Sequence, residues 1–273
     1  MSLTPFQRRV CRLLADVRVA RGERYVAGGV ALNHALGGTR VSRDIDLFHD
    51  TDEALAVSSR ADREMLEQAG LEVEPRRAYL GMVEVLVRDG SDVVEVQWVR
   101  DSAYRFYPLV MDPDLGLTLH PFDLATNKIL ALVGRVVVRD WVDTLTCHQK
   151  LSPLGCLAWA ASGKDPGLSP LFILEEAART THYSAAELAA LDFAGPRPQH
   201  AELTLAWRAA LREGHELIER LPAADVGKAV LDRDGVPFVG ELAALESALA
   251  EGELHFHAGS IGGAVPVVKL PTS

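Results

Sequence analysis

Tyr25-Val26-Ala27-Gly28-Gly29-Val30-Ala31-Leu32-Asn33-His34-Ala35-Leu36-Gly37-Gly38-Thr39-Arg40-Val41-Ser42-Arg43-Asp44-Ile45-Asp46-Leu47-Phe48 decides the fold. Tyr25 to Ala27 reads as a short β-strand that runs into a glycine pair. Val30 to Leu36 then has the spacing of a short amphipathic helix, closed by Gly37-Gly38. Val41 to Phe48 alternates acidic and apolar residues, the pattern of a second strand. Side chains two residues apart on a strand share a face. Asp44 and Asp46 therefore project together, while Ile45 and Leu47 turn into a core.

Two carboxylates side by side repel each other. A bound divalent cation relieves that repulsion, and hard oxygen donors suit Mg²⁺, with substrate phosphates completing its shell. Two such ions about 4 Å apart would activate an attacking oxygen and steady a leaving group. An acidic pair on a strand also arises as an ordinary solvated face. The glycine pair upstream weighs against that alternative. Where a strand opens into a helix, backbone N–H groups and the helix dipole bind phosphate, and glycine lets the backbone come close.

Outward from this core, Thr4-Pro5 begins a helix with one apolar face, and Arg60 to Ala69 forms another that ends at Gly70. Gly81 to Val87 and Val93 to Val99 are β-rich runs around the turn Arg88 to Asp92, a hairpin pattern. Glu95 is a charge inside one of these apolar strands, and Glu84 is another in the preceding strand. From Pro121 the periodicity becomes helical: Phe122 to Val133, Arg139 to Gln149, a start at Ser169-Pro170, a capping box of Ser184 with Glu187, and His200 to Leu221. The expected fold is α+β. A small mixed sheet with helices occupies residues 1–115, a mainly helical domain occupies 116–273, and the active site is expected in the cleft between them.

Composition narrows the function. The chain has 273 residues, 48% of them hydrophobic, and a net charge of −10, which argues against disorder and against a general electrostatic grip on nucleic acid. Residues 1–150 hold 19 basic against 22 acidic residues, and residues 151–273 hold 9 against 16. RNA would therefore sit more easily on the N-terminal half. Cys11, Cys147 and Cys156 lack metal-site spacing and read as small core residues. No apolar run approaches the length of a membrane span, and no signal peptide opens the chain, so a cytoplasmic protein is expected. Lys128 is the first lysine of an otherwise arginine-using N-terminal half, a compact charge where Arg is the habit.

The 25–48 stretch resembles the first motif of the AbiEii/MenT-type nucleotidyltransferases, toxins of bacterial toxin–antitoxin and phage-defence systems within the polymerase-β-like superfamily. A second stretch, His120 to Leu145, resembles their later motifs through Asp123, Lys128, Ala131, Arg139, Asp140 and Asp143. The resemblance implies a polymerase-β-like domain in which Asp44 and Asp46 hold Mg²⁺ with a third carboxylate from a neighbouring strand, for which Glu95 is the candidate and Glu84 the alternative. It also implies that Gly28, Gly29, Arg40 and Ser42 surround the triphosphate, that Lys128 and Arg139 contact the nucleotide, and that Asp143 lies near the catalytic centre. The implied reaction transfers a nucleotidyl group from an NTP to an acceptor hydroxyl such as the tRNA 3′ end, with an antitoxin protein as neutralising partner. The departures are Gly28-Gly29 where Gly-Ser is common and no lysine between Asp46 and Lys128. They leave open a small-molecule nucleotidyltransferase of the aminoglycoside-modifying sort, or a non-catalytic NTP- or partner-binding module.

Overall fold

The computed structural model describes residues 3–21, 24–179 and 183–267. They form two compact units. The first comprises residues 1–103, 109–120 and 193–195; the second comprises 104–108, 121–192 and 196–273. The end of the stretch 259–271, read from its glycines and β-branched residues as a tail or edge strand, lies outside the described residues from 268 onward.

The first unit is built on a seven-stranded mixed sheet, larger than the sequence pattern suggests. Its strands are β1 (Arg24–Ala27), β2 (Asp44–His49), β3 (Glu72–Tyr79), β4 (Met82–Asp89), β5 (Asp92–Arg100), β7 (Val110–Asp112) and β8 (Gly116–Thr118), in the order β3-β4-β5-β2-β1-β8-β7. Helices α1 (Pro5–Arg21), α2 (Gly28–Ala35) and α3 (Asp52–Gln68) connect and cover them. At the start of α1, Thr4 and Gln7 cap each other: the Gln7 N–H donates to Thr4 Oγ1 at 3.1 Å, and the Thr4 N–H donates to Gln7 Oε1 at 2.9 Å. β4 and β5 form the expected hairpin, closed by Gly90 at φ +59°.

β2 sits centrally, antiparallel to β1 and parallel to β5. Its burial alternates as the pattern requires, with Ile45 and Leu47 fully buried and Asp44 and Asp46 half-buried on the other face. The apolar face is pinned by a buried polar node. Trp98 Nε1 on β5 donates to Asp62 Oδ2 on α3 at 2.8 Å, and Asp62 also pairs with Arg24 of β1. Arg24 and Asp62 are both essentially inaccessible to solvent.

The second unit is mainly helical: α4 (Pro121–Arg135), α5 (Val138–Lys150), α6 (Leu154–Ala161), α7 (Pro170–Ala178), α8 (Ala185–Ala189), α9 (His200–Arg220) and α10 (Leu242–Glu251). Ser169 caps α7 with Pro170 in its first turn, and Ser184 with Glu187 forms the capping box of α8, as read from the sequence. Two small antiparallel pairs accompany the helices. β9 (Lys228–Leu231) pairs with β10 (His255–Ala258), and β6 (Tyr104–Arg105) pairs with β11 (Ser260–Ile261). One core cluster of this unit joins Cys156, Trp159, Leu217, Leu221, Val230, Phe238 and Leu245. All three cysteines are buried thiols, and no described helix is long and apolar enough to cross a membrane.

The buried node sets a stability prediction. Asp62→Ala strands the Arg24 guanidinium in the core and removes the acceptor of Trp98 Nε1. It should cost about 3–5 kcal/mol, read from denaturant unfolding of both proteins. A loss below about 1 kcal/mol would mean that the node contributes little to the sheet.

Candidate functional site

Backbone register brings the acidic residues together. In the parallel β2–β5 ladder Asp44 lies opposite Glu95 and Asp46 opposite Gln97, so all four side chains leave the same face of the sheet. Across the β4–β5 ladder Gln97 lies opposite Glu84, which adds a third strand to that face. Glu84 is buried, and Arg77 of β3 approaches it at 3.8 Å. The Gln97 side-chain amide donates to Glu95 Oε1 and reaches Glu84 Oε2 at 3.5 Å. Burial pushes the Glu95 carboxyl up, and the negative charges of Asp44 and Glu84 push it further, against the Gln97 hydrogen bond and the positive charge of Arg77.

The glycine pair abuts this face. Gly28 begins α2 with φ +66°, a conformation that L side chains rarely adopt, and a Cβ built on it would land on the Asp46 carboxylate. A Cβ on Gly29 would come within 2.5 Å of Arg40 Nη2 and 2.7 Å of Ser42 Oγ. Arg40 and Ser42 are both buried, and Gln7 of α1 holds their loop by donating to the Ser42 carbonyl at 2.6 Å. The loop is also tied to a segment far along the chain: Arg40 bridges to Phe193, and the Ala194 N–H donates to the Thr39 carbonyl at 2.7 Å. Ala27 precedes α2 without a side-chain cap. Gly28, Gly29, Arg40, Ser42, Asp44, Asp46 and Glu95 thus all gather in the first unit. Gln97 went unread in the sequence, because its place between two carboxylates comes from the register of two ladders.

The donor set suits a hard divalent cation: carboxylate oxygens of Asp44, Asp46, Glu84 and Glu95 crowd one face. Among the described residues no group of three or more His, Cys, Asp or Glu side chains is already gathered around a metal position. Side-chain movement of Asp44, Asp46 and Glu95 toward a common ion would be needed to hold one.

The other candidates lie in the second unit. Lys128 of α4 is buried, and its Nζ contacts Asp140 Oδ1 at 2.8 Å and Asp143 Oδ2 at 3.2 Å on α5. Both aspartates are fully buried, and Arg135 Nε meets Asp140 Oδ2 at 2.7 Å. Burial opposes the Asp140 charge, yet Lys128 and Arg135 together hold its carboxyl below the usual range. Arg139, beside Asp140, is half-buried. Asp123 at the start of α4 accepts from the Phe106 and Tyr107 N–H groups at 2.8 and 2.9 Å and pairs with Lys164 at 2.8 Å.

Comparison with known proteins comes down to shape. No protein-family model matches the chain, and no curated protein matches its sequence. Among solved structures, an H. pylori chain assigned as a nucleotidyltransferase superposes with a TM-score of 0.50 at 14% identity, over 81% of this chain and 99% of its own. MenT4, a nucleotidyltransferase toxin of Mycobacterium tuberculosis, reaches 0.47 at 14% identity, over 80% of this chain and 84% of its own. The antibiotic-resistance factor ANT(2'')-Ia reaches 0.37 at 14% identity, over 65% and 92%. The chain has the nucleotidyltransferase fold, as its strand–Gly-Gly–helix–Asp-x-Asp pattern implies.

Two predictions follow from the packing. Gly28→Ala forces a left-handed residue to carry a side chain, at about 1–2 kcal/mol, and displaces the Asp46 carboxylate besides. A melting temperature equal to that of the wild type would show that the turn relaxes freely. Lys128→Ala leaves two buried carboxylates without their shared ammonium and should cost about 3–5 kcal/mol. Denaturant unfolding of the two proteins measures it, and an unchanged midpoint would place Lys128 outside the stabilising core.

Proposed function

We propose that the chain is a nucleotidyltransferase that moves a nucleotidyl group from an NTP to an acceptor hydroxyl. The observation that carries this reading is the β2–β5 register, which aligns Asp44, Asp46 and Glu95 on one face beside the Gly28 turn. In the reaction the acceptor oxygen bonds to the α-phosphorus, the α–β anhydride bond breaks, and pyrophosphate leaves. Asp44, Asp46 and Glu95 hold Mg²⁺, which when bound polarises the phosphates and neutralises charge on the leaving group. Gly28 and Gly29 offer backbone N–H groups at the start of α2 to the triphosphate, with no Cβ in the way. Arg40 and Ser42 add a guanidinium and a hydroxyl at the same place. Lys128, Arg139 and Asp143 belong to the proposal through the motif resemblance.

The acceptor we favour is the 3′ end of tRNA. The protein then acts as the toxin of a toxin–antitoxin pair in the cytoplasm, with an antitoxin protein as partner. One observation favours a second acceptor class: residues 151–273 hold 9 basic against 16 acidic residues, which suits a cationic small molecule of the aminoglycoside kind.

Incubation with each labelled NTP, Mg²⁺, and either total tRNA or an aminoglycoside separates these acceptors. Label is expected in tRNA, at the 3′ end. Asp46→Asn should lower transfer at least ~100-fold, since even groups behind a metal's ligands cost ~10–100-fold when removed. Its melting temperature should stay near that of the wild type. Transfer by Asp46→Asn at the wild-type rate, or no transfer with any NTP and either acceptor, would refute the enzymatic reading.

A further inference from the structure

Gln97 sits in the middle of the acidic face, a position that its own strand does not explain. On one side it lies opposite Asp46, on the other opposite Glu84, and Glu95 is two residues back along β5 on the same face. A residue placed among four carboxylates has three options. A fifth acid would deepen the repulsion. A lysine or arginine would fill the site with a resident cation. A neutral amide instead supplies N–H donors without adding charge of either sign. Gln97 uses them: its amide donates to Glu95 Oε1 and reaches Glu84 Oε2 at 3.5 Å. It therefore ties Glu95 of β5 to Glu84 of β4 without adding charge to the face.

We propose that Gln97 is a positioning residue for metal capture, acting through Glu95. The inference rests on the reading of Asp44, Asp46 and Glu95 as metal ligands and assigns Gln97 the role of orienting the third of them. Glutamate has one more rotatable bond than aspartate, so Glu95 loses more freedom on engaging an ion than Asp44 or Asp46 does. A hydrogen bond that fixes one carboxylate oxygen removes part of that loss and leaves the second oxygen for the cation. The bond is local and rigidly based, because donor and acceptor project from the same face of one central strand. Hydrogen bonds of this kind behind metal ligands are worth ~10–100-fold in metal affinity. Gln97 touches neither substrate nor metal in this arrangement, and its whole effect passes through Glu95.

The test is Mn²⁺ affinity by calorimetry on the full chain, with melting temperature measured alongside. Gln97→Met keeps length and bulk but removes the donors. It should weaken Mn²⁺ binding by ~10–100-fold with the melting temperature nearly unchanged. In the Glu95→Gln background the same replacement should have no further effect. Gln97→Asn keeps the amide on a stem one carbon shorter, should behave like Gln97→Met, and stands in for it if the methionine variant fails to fold. Unchanged Mn²⁺ affinity in both Gln97 variants overturns the inference, as does an equal loss with and without Glu95. Asp46→Asn separates this from the reading beneath it. If that variant binds Mn²⁺ like the wild type, the metal assignment itself is wrong; if it loses Mn²⁺ while the Gln97 variants keep it, only the role of Gln97 falls.

Discussion

The first unit depends on one constraint, the parallel pairing of β2 with β5 in the register that sets Asp44 against Glu95 and Asp46 against Gln97. A strand has only two faces, so a slip of one residue would carry both aspartates into the core and bring Ile45 and Leu47 out. Burial forbids the slip. Ile45, Leu47, Val96 and Trp98 are fully buried on the apolar side, and each aliphatic side chain of that size stabilises by about 1.5–3 kcal/mol on burial. The apolar face thus fixes the positions of the acidic one. Four carboxylates on three strands would not gather by their own attraction; they are held in place by the packing behind them.

The second constraint is steric. Asp46 and Gly28 share a space that admits a carboxylate or a Cβ but not both, and Gly29 faces Arg40 and Ser42 at similar range. This close approach couples the acidic strand to the turn that opens α2, so two segments with opposite electrostatic preferences lie in contact. The turn favours anions through its backbone N–H groups, and the strand favours cations. A ligand with phosphate and bound metal satisfies both at once, and neither ion alone does. The proposed metal–nucleotide binding would use this contact between Gly28 and Asp46.

Much of this was legible in the sequence, for reasons that can be traced. The Asp44–Asp46 spacing, the glycine pair, the β4–β5 hairpin and the Ser184 capping box are local patterns, and short-range geometry dictates them. What escaped reading is non-local. β3 carries no alternation because nearly all of its residues are exposed on an outer strand of the sheet. The all-apolar α6 has no polar face to give it a period. The interleaving of units, with residues 104–108 in one and 109–120 and 193–195 in the other, follows from pairings such as Thr39 with Ala194 that no local pattern encodes. For Lys128, the apolar stripe of Phe122, Ala125, Ile129 and Leu132 was readable and is buried. Helical spacing puts Lys128 beside that stripe, at a boundary from which a long side chain can reach into a cleft. The structure buries it against Asp140 and Asp143, whose approach depends on the packing of α4 on α5.

Burial opposes the charge of both Asp140 and Glu95, yet the two carboxyls end on opposite sides of their ordinary range. In the second unit buried carboxylates come with resident cations: Asp123 with Lys164, and Asp140 with Lys128 and Arg135. Those partners outweigh burial, and the Asp140 carboxyl is held low. Glu95 moves the other way. It is less buried than Asp140, yet burial pushes its carboxyl up, and the acids Asp44 and Glu84 add to the rise against the Gln97 amide and the Arg77 charge. An acid that the fold itself compensates stabilises the protein. An acid raised by burial and by neighbouring acids costs stability in its charged form, and packing behind the sheet must offset that cost. Such local cost tends to collect where a ligand completes the structure. In the proposed site Glu95 is such an acid, and a bound cation would relieve it.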